Sequence, residues 1–338
     1  MSENKPERAE YLKSLLTKFP DVPTKTLARK AYEHSPEWFS NLETARRAIR
    51  YYRGNGGKSH RKQAGNKTEF HRENHKAGEI YSLPPSLAES WEPYIIPSEF
   101  KKILHLSDIH APYHATLPLS VAVQYGKDHG CDGVLLNGDM GDWYSVSRYE
   151  RNPKKRDLKS EVSIVKEMLL WLRDEFPAPK KIIFKKGNHE ERWDHFIWNK
   201  APELWDLANV HLENILDLEK MDIDCVGDQR PIMFRDLPIF HGHELGRNGI
   251  AAPVNQARGM FLRGIHTMLC GHGHRTSQHT ETDLWHKEIT CWSVGCLADL
   301  HPEYARINKF NHGFAIVYEV EGGWSVDNRR ISLQGKVW

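Results

Sequence analysis

Five polar segments punctuate residues 101–274, and four of them directly follow a short apolar run. They are Asp108-Ile109-His110, Gly138-Asp139, Gly187-Asn188-His189-Glu190, His241-Gly242-His243 and Gly271-His272-Gly273-His274. The runs KKILHLS, DGVLLN, KKIIFKK, LPIF and TMLC are strand-length, and KEITCWSVG and HGFAIVYEV continue the series. Helical patterns near 117–129 and 156–175 lie between them. This alternation predicts an α/β domain built on β-sheets, with active groups at the C-terminal ends of strands.

The donors in these segments are carboxylate, carboxamide and imidazole. Together they suit Mn, Fe, Zn, Ni or Co rather than thiolate-seeking metals. Residues i and i+2 of an extended segment share a side, so Asp108 and His110 can grip one ion. His272 and His274 have the same spacing and can reach two adjacent ions, with an intervening carboxylate as the bridge. Each segment alone is common turn chemistry; the ordered set of five at strand ends is not. All but the first contain a glycine, which lets the backbone turn sharply.

This ordered set resembles the calcineurin-like metallophosphoesterase superfamily over residues 99–338. The resemblance implies a β-sandwich of two mixed sheets flanked by helices and a centre of two divalent ions, with Mn²⁺ the first expectation. It implies that Asp108, His110 and His274 bind the first metal. It gives the second metal to Asn188, His241 and His272, and makes Asp139 the bridging carboxylate. His189 is similar to the histidine that contacts the phosphate and protonates the leaving oxygen. His243 is an alternative to His241, which is preferred because it follows LPIF directly. Asp142 matches the second carboxylate of a GDxxD pattern, with Trp143 where protein phosphatases carry arginine. The GNHE tetrad matches those phosphatases, but their phosphate-gripping arginines have no counterpart in GDMGDWY or KKGNHEER.

Other candidates receive plainer readings. His105, His195, His266, His279 and His286 match no motif and are assigned to packing or surface. Trp143, Trp171, Trp193, Trp198 and Trp205 read as core, with a base-stacking platform as the alternative. Arg148, Arg192, Arg247 and Arg275 follow motif segments and read as surface groups ahead of phosphate ligands. Five cysteines without a CxxC pair predict reduced thiols.

Charge divides the chain. Residues 1–78 carry 17 Lys and Arg against 9 Asp and Glu, while the remainder is mildly acidic. Residues 1–57 read as a small helical domain. Leu12, Leu15, Leu16 and Phe19 mark its first helix and Leu27, Ala28 and Ala31 its second, opened by Pro23. Leu42, Ala45, Ile49 and Tyr52 mark the third, with a Ser40–Glu43 capping box and a stripe of Arg46, Arg50 and Arg53. Residues 58–98 read as a polar, proline-containing linker and 99–338 as the metallophosphoesterase domain. The head has the outline of a helix-turn-helix module, so nucleic acid is the expected partner. The arrangement is similar to metallophosphoesterases of phage and prophage origin. With neither a signal-like N-terminus nor an 18-residue apolar run, a cytoplasmic protein with no membrane partner is expected. A metal-dependent phosphodiesterase or nuclease is the leading reading. A phosphomonoesterase, or a DNA-binding protein with a non-catalytic phosphoesterase scaffold, are the alternatives.

Overall fold

The computed structural model describes residues 5–54, 87–149, 152, 154, 157–246 and 254–338. Residues 58–86 of the expected linker, and Arg247, lie outside them. The chain divides into two compact units, residues 1–89 and 90–338.

The first unit contains three helices, α1 (Lys5–Lys18), α2 (Thr24–His34) and α3 (Leu42–Tyr52). Their apolar stripes meet in one core of Leu12, Leu15, Leu16, Leu27, Ala28, Ala31, Phe39, Ala45 and Ile49. The cap of α3 differs from expectation. Asn41, in extended conformation, accepts the Thr44 N–H at 2.9 Å. Ser40 instead hydrogen-bonds the Thr44 hydroxyl at 2.9 Å. Asn41 is a strong cap because its short side chain reaches the third helical N–H. The arginine stripe is also divided. Arg53 donates to Thr24 Oγ1 at 2.9 Å and to the Pro20 carbonyl at 3.0 Å, so it braces the α1–α2 loop. Arg47 and Arg50 are exposed.

The second unit is built on two six-stranded sheets. One contains β2 (Lys102–Leu106), β3 (Gly133–Asn137), β4 (Lys181–Lys185), β5 (Ile223–Val226), β11 (His312–Val320) and β12 (Gly323–Ile331), in the order β12-β11-β2-β3-β4-β5. Strands β2 to β5 are parallel, and β11 lies antiparallel on β2. The other sheet has the order β1-β6-β7-β8-β10-β9. It contains β1 (Tyr94–Ile95), β6 (Ile232–Phe234), β7 (Leu237–Phe240), β8 (Met268–Cys270), β9 (Ser277–Thr282) and β10 (Glu288–Ser293). Both sheets are mixed, as expected. Tyr94 and Ile95, assigned to the linker from sequence, pair with Ile232 and Met233 and belong to this unit. Two residues amid prolines carry too little periodicity to announce a strand.

Side-chain alternation along the parallel strands makes two cores. Leu104, Leu106, Val134, Leu136, Ile182 and Phe184 face helices α4 (Thr116–Asp128) and α5 (Leu158–Glu175). Ile103, Leu135 and Ile183 face the other sheet and meet Ile232, Phe234, Ile239 and Leu269. Burial on both faces explains why these strands read as continuous apolar runs. The same period of two puts His105, Asn137 and Lys185 on the inter-sheet side at the strand ends. Among the described residues no helix is long and apolar enough to cross a membrane.

Trp143 and Trp193 are buried in the first core, with Trp171 and Trp205 packed against it. Trp198 departs from the expected core and is 49% exposed. All five cysteines are free, and four are buried.

Candidate metal centre

The loops after β2, β3, β4, β7 and β8 converge at one edge of the sandwich. The backbone there is unusual. Asp108, His110, Asp139, His272 and His274 all have φ between 51° and 59°. Left-handed geometry is sparsely populated by residues with a Cβ, and its clustering marks a site the fold holds under strain. Close approach also dictates the glycines. A Cβ at Gly187 would stand 2.4 Å from Asp139 Oδ1.

Each expected ligand arrives with its donor atom turned inward. Asp108 is fully buried, and its Oδ2 accepts from the Ser107 hydroxyl at 2.6 Å and the His272 amide at 2.8 Å. Its Oδ1 lies 3.1 Å from His274 Nε2 yet accepts no hydrogen bond. His110 Nε2 and His274 Nε2 are 3.2 Å apart. Asp139 Oδ2 is 3.2 Å from His241 Nε2 and 3.8 Å from His110 Nε2, so it stands between two groups of ligands. Asn188 Oδ1 is 3.2 Å from the same His241 nitrogen. The ligand atoms of Asp108, Asp139, His241 and His272 lie within 4.8 Å of one another, as do those of Asp108, His110 and His274. Asp108 thus belongs to both groups, a sharing that sequence spacing did not indicate.

His241 and His243 go different ways. His241 Nδ1 meets the Asn137 carbonyl at 2.7 Å, which puts the proton on Nδ1 and frees Nε2 for the centre. His243 Nε2 instead pairs with Glu191 at 3.0 Å. The His241 turn is held from behind. Glu244 accepts the His241 and Gly242 amides at 3.1 and 2.6 Å, and forms a buried ion pair with Lys185 at 2.9 Å.

The electrostatics fit divalent cations. Buried Asp108, Asp139 and Asp142 gather negative charge in one place. Burial would lower the His241 pKa, but Asp139 and Asp108 outweigh it and hold it at about 10. Burial is likewise overcome at His274, where Asp108 raises the pKa. Protons on these two imidazoles balance the carboxylates; divalent ions would take their place. His272 is driven to about 3, by burial and then by the charge of His241, and keeps its lone pair. Crowded imidazole nitrogens and an unbonded buried carboxylate oxygen are the donor set two borderline cations need.

His189 lies beside this cluster. Its Nδ1 meets the Asp142 carbonyl at 2.9 Å and Asp142 Oδ1 at 3.1 Å. Its Nε2 is 3.8 Å from Asp139 Oδ2 and 2.7 Å from Arg192 Nη2. Burial lowers its pKa and Asp139 opposes the shift. Arg192, read as a surface group from sequence, lines a cleft of about 980 Å³ with Asp139, His189, His272 and His274. Arg275 instead donates to the Val254 carbonyl at 2.7 Å. A second cavity of about 110 Å³ borders His110, and Asp142, Tyr144, Glu303 and Tyr304 line both.

The profile of the calcineurin-like phosphoesterase family matches residues 101–293, more than half of the chain. The chain belongs to this family. A calcineurin-like phosphoesterase is a hydrolase of ester bonds and works with a dinuclear divalent metal centre. The chain is similar to the Gene 54 protein of Mycobacterium phage L5, at 25% identity over 258 residues, covering 70% of this chain and 98% of that protein. The Gene 54 protein of Mycobacterium phage D29 is 24% identical with the same coverage. Among solved structures, the phosphoesterase Yfce from E. coli aligns with TM-score 0.34 and 15% identity, over 70% of this chain and 96% of that one.

In the sequence Glu190 stands within the GNHE tetrad with no role of its own. The structure gives it one. It is fully buried and accepts from the amides of Asp139, Gly187 and Gly141 and from Trp143 Nε1 at 2.8 to 3.1 Å. A glutamate three residues after Gly187 at a helix start was the available signal. Ser107, Asn137, Lys185 and Glu244 carried none, because their roles lie in contacts across loops.

Proposed function

We propose that this phosphoesterase is a phosphodiesterase acting on nucleic acid, with Mn²⁺ as its working metal. The observation that carries the reading is the shape of the site. Cavities border the ligand cluster at His110 and again at Asp139 and His189, and they share Asp142 and Tyr304 as walls. A diester has chain on both sides of phosphorus and needs two exits; a monoester needs one. The exposed Arg47 and Arg50 and the basic charge of residues 1–78 support a nucleic-acid partner. An oxygen and nitrogen donor set without thiolate supports manganese.

In this reading Asp108, His110 and His274 would hold one cation and Asn188, His241 and His272 the other, with Asp139 between them. Bound cations acidify a water and offset charge on the phosphate oxygens. Asp142 fixes the His189 ring through Nδ1, and Nε2 lies beside Arg192 Nη2 at the wall of the cleft. With substrate in place of the Arg192 contact, a His189 ring protonated at both nitrogens would give its Nε2 proton to the departing oxygen as the ester P–O bond breaks. Arg192 beside it receives a phosphate oxygen.

The test compares bis-p-nitrophenyl phosphate, p-nitrophenyl phosphate and single-stranded and duplex DNA, each with Mn²⁺. Higher kcat/KM on the diester, with DNA cleavage, is expected, and Asp139→Asn should remove both. Preference for the monoester with no DNA cleavage would make the protein a phosphomonoesterase.

A further inference from the structure

Two tyrosines at the rim of the large cleft have no task in the centre. Tyr149 is 63% exposed and Tyr304 is 66% exposed. They come from separate segments, Tyr149 from the loop after the 144–146 turn and Tyr304 from the 303–305 turn. Neither belongs to a hydrophobic core. Both border the cleft that opens on Asp139, His189 and Arg192, and Tyr304 also borders the cavity at His110.

Their surroundings narrow the ligand. Arg148 stands 5.2 Å from the centre of the Tyr149 ring, and Arg192 lines the cleft together with Tyr149 and Asn152. Aromatic rings interleaved with positive charge match a strand whose bases stack and whose phosphates are neutralised. A phosphoserine or phosphothreonine peptide, or an inorganic ester, presents no planar face to two separate rings. Duplex bases are already stacked, so the match is to a single strand.

We propose that Tyr149 and Tyr304 stack the nucleobases that flank the scissile phosphodiester of a single-stranded nucleic acid. The inference rests on the nucleic-acid phosphodiesterase reading above and adds the residues that hold the strand. Stacking is tolerant of base identity because every base has a π face.

The experiment uses the full chain with Mn²⁺ and two short single-stranded DNA oligonucleotides, one with all bases and one with abasic sites throughout. Values of kcat/KM are compared for the native protein, Tyr149→Ala, Tyr304→Ala and the two Tyr→Phe variants. Circular dichroism checks that each variant folds. The native protein should prefer the base-bearing strand by roughly ten- to a hundredfold, from the known strength of base–aromatic stacking. Each alanine should cut that preference by about tenfold, and each phenylalanine should retain it. An unchanged preference in both alanine variants would overturn the proposal. Equal cleavage of the two strands by the native protein would do the same while leaving the nuclease reading intact. Hydrolysis of bis-p-nitrophenyl phosphate without cleavage of either oligonucleotide would remove both.

Discussion

The Glu190 carboxylate sits under the Asp139 turn, its Oε2 accepting the Asp139 amide at 2.8 Å. The same carboxylate takes the Gly187 and Gly141 amides, so one buried anion joins the loops after β3 and β4. Those loops supply Asp139, Asn188 and His189. Burial and then Asp139 raise the Glu190 pKa, so backbone donors must hold it in place. Glu190→Gln exchanges an acceptor for a donor against these amides. It should weaken metal affinity by roughly ten- to a hundredfold and stability by about 1.5–3 kcal/mol. Calorimetric Mn²⁺ titration and denaturant melts of the metal-free protein would measure the two effects. Native metal affinity in the variant would refute the bracing role.

His189 is assigned proton donation, and leaving-group chemistry separates that from mere positioning. His189→Ala should lose roughly 10²- to 10⁴-fold with an alkyl leaving group and far less with p-nitrophenolate, which departs unaided. Equal losses on both substrates would remove the donor role.

Arg192 donates to the Asp142 carbonyl at 2.7 Å and approaches His189 Nε2 at the same distance. A lysine cannot serve two acceptors in that fork geometry. Arg192→Ala should lower kcat/KM by about 10- to 100-fold, the worth of a charge-assisted hydrogen bond, and Arg192→Lys should recover only part. Full activity in the alanine variant would show that the guanidinium does not touch substrate.

His105 is fully buried, and neither ring nitrogen has a hydrogen-bond partner. Burial lowers its pKa to about 4. Below about pH 6.5 the unfolded chain takes up a proton there that the folded chain refuses, so stability falls between pH 6.5 and 4. The loss from this group reaches roughly 3 kcal/mol at the acid end. His105→Leu should lack it, and subtracting its denaturation profile from that of the native protein isolates the effect. Parallel pH profiles would contradict the neutral-histidine assignment.

The head offers a sharper contrast. Arg47 and Arg50 are exposed, whereas Arg53 is held by Thr24 and Pro20. Replacing Arg47 and Arg50 with Glu should weaken duplex DNA binding and flatten its salt dependence by about two units of slope, leaving the melting temperature nearly unchanged. Arg53→Ala should lower the melting temperature. Fluorescence anisotropy across a salt series distinguishes the two, and undiminished binding by the double variant would end the case for this surface.

Much of the protein is legible in the sequence. Apolar runs buried on both faces announced the parallel strands, and the Asp, Asn and His residues at their ends announced the donors that gather at one edge, because strand ends and tight turns are local matters. Sequence also specified the three-helix head through its apolar stripes. Long-range placement was another matter. That His241 rather than His243 turns inward depends on the Asn137 carbonyl, and that Arg192 enters the cleft depends on Asp142 and His189. The edge strand at Tyr94, the bracing by Glu190 and the buried Lys185–Glu244 pair likewise exist only once distant loops meet. Periodicity and composition register each residue's neighbours along the chain; hydrogen bonds across 50 to 104 positions are decided by folding alone.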